Sequence, residues 1–140
     1  MKLYFSKEPI TDPTYTHIRD INLIDILADD LEAEEILVEN FLNEFTYNMF
    51  GQVLNKIVSK LRLGGEIIVC EHDIDFLCYK LSTGKIDPKE FNEIVFSGGP
   101  ANCLFRMDTV IDLLKQGGLR IMERFIDPND LYIVKARRQL

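Results

Sequence analysis

The densest group of chemistry-bearing side chains is Glu71-His72-Asp73, with Asp75 close behind, directly after the apolar run Glu66–Cys70. Histidine titrates near neutral pH, so His72 is a candidate general base facing a ligand. The same residues could be read as metal ligands. Neighbours at a strand end give poor multi-ligand geometry, so the preferred reading is a polar loop at the rim of a sheet, with no metal.

A second acidic group, Asp29, Asp30, Glu32, Glu34 and Glu35, lacks the glycine and fixed spacing of a calcium loop and reads as solvated. The cysteines are Cys70, Cys78 and Cys103, an odd number without CxxC spacing. That argues against a zinc site and a disulfide framework, and reduced cytoplasmic thiols fit best. Cys70 reads as packing, not as a nucleophile. Phe41, Phe45, Tyr47 and Phe50 read as core and interface. Ser97-Gly98-Gly99-Pro100 reads as a mobile loop over the site.

These side chains must be positioned by elements, and the hydrophobic pattern supplies them. Lys2–Phe5 and Tyr15–Asp20 read as short strands, separated by turn chemistry around Pro9 and Pro13. Leu23, Ile26 and Leu27 suggest a helical turn, and Ile36–Val38 a buried strand. A helix is expected to start at Thr46 as N-cap, to carry Met49, Phe50, Val53, Leu54, Ile57, Val58 and Leu61 on one stripe, and to stop at Gly64-Gly65. Glu66–Cys70 reads as a central parallel strand. Asp73 or Asp75 caps the next helix, and Asp87-Pro88 starts another. Asp108 caps a helix that closes at Gly117-Gly118. Leu119–Phe125, the turn Asp127–Asp130 and Leu131–Ala136 form an antiparallel hairpin.

Strands alternating with helices imply a layered α/β fold in one domain spanning residues 1–140. Hydrophobic residues make up 46% and charged residues 28%, enough for an ordinary core. The net charge of −7 argues against nucleic acid and anionic lipid as partners. Lys135, Arg137 and Arg138 read as a solvated strand end. No apolar run approaches the ~20 residues of a membrane span, and the N-terminus shows no signal-peptide pattern.

The helix-to-hairpin ending resembles the class I S-adenosylmethionine (SAM)-dependent methyltransferases. Leu42-Asn43-Glu44-Phe45 and Lys60–Val69 resemble that family's "LEH … RvLkPGG" signature. Glu71-His72-Asp73, Phe91–Phe96 and Leu113–Arg120 resemble the segments that follow. Arg19-Asp20-Ile21 resembles a "gDi" whose acid lies near the adenine, and Glu34–Leu37 an "aDeI" strand opening. The likeness covers about residues 18–138 and corresponds to the carboxyl-terminal two-thirds of the domain. It implies a reduced Rossmann-like sheet, mostly parallel with a C-terminal antiparallel hairpin. It also implies SAM as cofactor, Asp20, Ile21, Glu39 and Asn40 near the cofactor, and Glu44 and His72 in catalysis.

The departures are specific. The family's G-x-G-x-G loop brings backbone N–H groups to the cofactor, yet no glycine occurs between Met1 and Ile36. Roughly thirty residues of loop, helix and acidic strand are replaced by the segment Ser6–Thr16. Leu63 stands at the family's proline, and Asn43-Glu44 at its Glu-His. A sheet can shed an edge unit, while a cofactor site cannot lose its donors. The exposed surface implies oligomerisation, most simply a two-fold homodimer, or a heteromeric partner. Three functions follow as expectations. The first is methyl transfer to a small molecule or sugar, with the site completed by a partner. The second is a noncatalytic scaffold or regulatory subunit. The third is another chemistry using His72, Glu39 or Glu44.

Overall fold

The computed structural model describes residues 1–9, 11–96 and 103–140. The chain runs β1 (Lys2–Phe5), β2 (Tyr15–Ile18), α1 (Ile24–Leu27), β3 (Ala33–Glu39), α2 (Phe50–Val58), β4 (Leu61–Glu71), α3 (Ile74–Ser82), α4 (Pro88–Phe96), α5 (Met107–Gln116), β5 (Leu119–Ile126) and β6 (Tyr132–Arg138). One six-stranded sheet has the order β2-β1-β3-β4-β6-β5. The first four strands are parallel, and β6 is antiparallel to both β4 and β5. This is the expected α/β sheet with its closing hairpin, and Ile67–Val69 lie mid-sheet. No helix among the described residues is long and apolar enough to cross a membrane.

The period-two alternation of strands divides the sheet into unlike faces. Leu3, Phe5, Ile18, Ile36, Val38, Ile67, Val69, Val134 and Ala136 are buried and point to one side. α1, α2 and α5 bury Ile24, Phe50, Val53, Leu54, Ile57, Met107, Val110 and Leu114 in the same core. Phe50 stacks on Phe105 with centroids 4.6 Å apart, and Phe41 packs on Phe5 and Phe45. The other face carries Tyr4, Leu37, Ile68, Cys70, Ile133 and Phe125, none of which joins that core. Ion pairs Lys2–Glu35 (3.4 Å), Arg137–Glu66 (2.5 Å) and Lys135–Glu123 (3.2 Å) lie across it. Predominantly parallel sheets are ordinarily covered on both faces, so this bare face is a departure from the usual layering. α3 and α4 lie past the carboxyl end of β4, where Lys80 of α3 bonds Asp130 in the β5–β6 turn (2.5 Å).

Three expectations are corrected. α2 starts at Phe50, after a turn in which the Thr46 carbonyl accepts from Met49 and Phe50 N–H, and Thr46 is not its cap. The helix ends at Val58, and Leu61–Gly65 open β4 instead of closing α2. The apolar stripe runs on through Leu61 because a buried strand residue satisfies the same pattern. Gly64 sits at φ +77, and the β3–β4 register shifts beside the pair, between Ala33 and Glu35. A Cβ on Gly65 would lie 3.1 Å from the Ala33 carbonyl oxygen and 2.7 Å from Leu61 Cδ1, so the close strand approach requires glycine there. The third correction concerns caps. Asp73 caps α3, accepting from Phe76 N–H at 3.0 Å, and also accepts from Met107 N–H at 2.9 Å, the role given to Asp108. The basic C-terminus is structural: Arg138 donates to the Val58 and Leu61 carbonyls, both at 2.8 Å, stapling the end of α2 to β4. The loop Ser97–Pro100 lies outside the described residues.

Candidate functional site

Ligands of open parallel sheets bind where the strands end at their carboxyl termini. The sheet order places the ends of β1, β3 and β4 side by side. A cavity of about 150 Å³ opens there, lined by Tyr4, Ser6, Lys7, Glu8, Glu39 and Asn40. Tyr4 and Glu39 reach it from the bare face, where the Tyr4 hydroxyl donates to Glu39 Oε2 at 2.9 Å. Burial, together with Glu39, raises the Tyr4 pKa. Asn40 leaves β3 at φ 46, a left-handed position that asparagine tolerates. Its Oδ1 accepts from Asn43 Nδ2 at 2.7 Å, and Asn43 Oδ1 accepts from Lys7 Nζ at 2.8 Å. His17 Nε2 donates to the Ser6 carbonyl at 3.0 Å. The Ser6 hydroxyl donates to the Glu8 carbonyl. The rim is therefore polar, internally bonded and narrow.

Glu71 anchors the same rim from below. Period-two alternation puts it on the side of Ile67 and Val69, and it is fully buried. Its Oε1 accepts from the N–H groups of Phe41 (2.9 Å) and Leu42 (2.6 Å), which fixes the turn that carries Asn40 and Asn43. Its Oε2 has no hydrogen-bond partner among the described residues. Burial pushes the Glu71 pKa up to about 7, against the pull of the two N–H bonds. Cys103 lies close by, its thiol raised to about 11 by burial and by Glu71.

Of the site residues expected from the sequence, Glu39 and Asn40 line the rim cavity. His72 faces elsewhere. It is half-buried, its pKa is lowered by burial and by Lys80, and its Nδ1 has no hydrogen-bond partner among the described residues. Glu44 follows Asn43 in the short turn Leu42–Glu44 and is not among the cavity lining. Asp20 caps the turn Ile21–Leu23, accepting from Asn22 N–H. Ile21 borders a separate groove with Met49, Gln52 and Val53. Reading the chain as sequence leaves Tyr4, Ser6, Lys7 and Glu8 unmarked, because nothing local signals that β1 ends beside β3. Glu71 had a signal: in Ile67-Ile68-Val69-Cys70-Glu71 it falls in phase with the buried isoleucine and valine.

No protein-family profile matches the sequence, and no curated protein matches it. Solved structures do match in shape. An O-methyltransferase family protein from Burkholderia thailandensis superposes with a TM-score of 0.62 at 12% identity, over 89% of this chain and 36% of that one. Magnesium protoporphyrin IX methyltransferase from Synechocystis, with S-adenosylhomocysteine bound, gives 0.59 at 11% identity, over 89% and 51%. A putative methyltransferase of Haloferax volcanii, in complex with its activator protein, gives 0.62 at 8% identity, over 99% and 72%. The chain has the class I methyltransferase fold. It spans about a third to a half of the length of the first two structures, 36% and 51%.

These 140 residues alone do not fit SAM. No glycine lies at the end of β1, where backbone donors would need close approach, and β1 passes to β2 without a helix among the described residues. The cavity of about 150 Å³ is below the ~300–1,000 Å³ of ordinary small-molecule pockets.

Proposed function

We propose that this chain is one part of a SAM-dependent methyltransferase acting on a small molecule or sugar, with the site completed by a partner subunit. One observation carries this reading: the rim cavity is lined by the ends of β1 and β3 and the segment Ser6–Glu8, and Tyr4 and Glu39 reach it from the bare face of the sheet. A layer packed on that face would both cover Leu37, Ile68 and Ile133 and wall the cavity on that side. The Haloferax volcanii complex, a methyltransferase fold held by an activator, supports the idea of assistance from a second chain. In this assembly Glu39 and Asn40 present polar groups to a ligand. Glu71 holds the Phe41-Leu42 backbone in place, and burial and Lys80 lower the pKa of His72. The bound donor would supply an electrophilic methyl group, and the loop that grips it comes from the partner. Reduced Cys70, Cys78 and Cys103 fit a cytoplasmic setting.

A second reading, a noncatalytic scaffold or regulatory subunit, is favoured by the Lys7–Asn43–Asn40 chain, in which rim groups satisfy one another. The two part company in one assay. The tagged chain is purified from its native source with whatever it retains, and release of S-adenosylhomocysteine from SAM is followed. Turnover by the complex and none by the isolated chain is expected. A stable complex without turnover on small-molecule or sugar acceptors would favour the scaffold. Turnover by the isolated monomer would overturn the partner-completed site.

A further inference from the structure

We propose that the outer edge of β5, with the groove between β5 and α5, takes an extended acidic segment of another protein as an added strand. Among the described residues β5 is the last strand of the sheet, with no strand paired to its outer side over Leu119–Ile126. The opposite edge, β2, is only the four residues Tyr15–Ile18, a short edge of the kind that resists pairing. β5 is twice as long and ends in the exposed side chains of Phe125 and Ile126. Beside it lies a groove of about 510 Å³, whose lining includes Ile111, Lys115, Leu119, Arg120, Ile121 and Arg124. Leu119, Ile121 and Arg124 pair with Arg138, Ala136 and Val134 and lie on the helix-covered side, next to Lys115 of α5. An added strand would thus lay alternate side chains against Ile111 and Ile121, within reach of the two cations.

Charge chooses the occupant. The protein carries −7 overall, and half of its 16 cations, Lys2, Lys56, Lys60, Arg62, Lys80, Arg106, Lys135 and Arg137, are in ion pairs. Among the described residues the other eight are in none, and three of those, Lys115, Arg120 and Arg124, meet at this groove. A second copy docked edge to edge through β5 would set these cations against their own duplicates, which is repulsive. An acidic, β-prone segment gains main-chain hydrogen bonds from the edge, apolar contact from the groove and charge pairing from the cations.

The probe is a fluorescein-labelled peptide alternating glutamate with valine, titrated into the full chain by anisotropy. Three controls are a peptide alternating lysine with valine, the acidic peptide with its central valine replaced by proline, and a single-stranded oligonucleotide. Saturable binding of the acidic peptide is expected, with slowed amide exchange along β5 and not β2. The double variant Lys115→Glu/Arg124→Glu, both at exposed positions, should weaken it about tenfold or more while circular dichroism stays unchanged. The proposal falls if the acidic peptide does not bind, or if the double variant binds as well as the parent. Equal binding of the proline or lysine peptide, or of the oligonucleotide, would also overturn it, since a strand-specific acidic site excludes all three.

Discussion

At the residue scale, Glu71 is the side chain on which the rim depends. Its folded pKa is raised to about 7 from an ordinary 4.5, chiefly by burial. A raised carboxyl holds its proton longer in the folded chain than in the unfolded one. The stability it contributes is complete below about pH 4.5 and is lost as pH rises through about 7. His72 acts in the opposite sense, because burial and Lys80 lower its pKa and stability grows as pH rises through the unfolded value. Comparing Glu71→Gln with the parent cancels His72. Urea unfolding between about pH 5 and about pH 8 should show the variant gaining on the parent with rising pH, by on the order of 3 kcal/mol. A difference that stays constant across that range would mean that Glu71 is solvated or paired.

At the element scale, the Gly64-Gly65 pair is the most instructive feature. Sequence pattern alone gives it to a helix end, and the chain uses it to start the longest strand. In a substitution test, Gly65→Ala should cost about 1–3 kcal/mol, since the added Cβ meets the backbone oxygens of Arg62 and Ala33 at 3.0 and 3.1 Å. Gly51→Ala, inside α2 with only Leu113 Cδ1 at 3.6 Å, should stabilise by about 0.5–1 kcal/mol. Denaturant midpoints moving in the same direction for both would contradict the assignment. The strands β1, β3, β5 and β6, and α3, α4 and α5, were legible because each combines a period with a stop signal such as Asp87-Pro88 or Asp127–Asp130. The end of α2 was not, because Leu61 continues a helical phase while belonging to a strand. The rim was legible at Glu39 and Asn40, which follow a recognisable strand. It was hidden at Tyr4, Ser6 and Lys7, whose relevance arises only from β1 pairing with the distant β3, Lys2 against Glu35 through Phe5 against Val38.

At the scale of the whole molecule, the sheet has one clothed face and one bare face. The clothed face holds a continuous core, which is why the fold survives without a glycine-rich unit. The bare face leaves Leu37, Ile68 and Ile133 outside that core, and Tyr4 and Glu39 reach the rim cavity from it. Under the proposed function, fold and donor binding are separated: this chain keeps the first, and a partner supplies the second. Calorimetric titration of S-adenosylhomocysteine into the purified, monomeric chain measures that separation directly. No saturable heat is expected. A one-to-one isotherm with micromolar affinity would contradict it, by showing that these strand ends grip the nucleoside unaided.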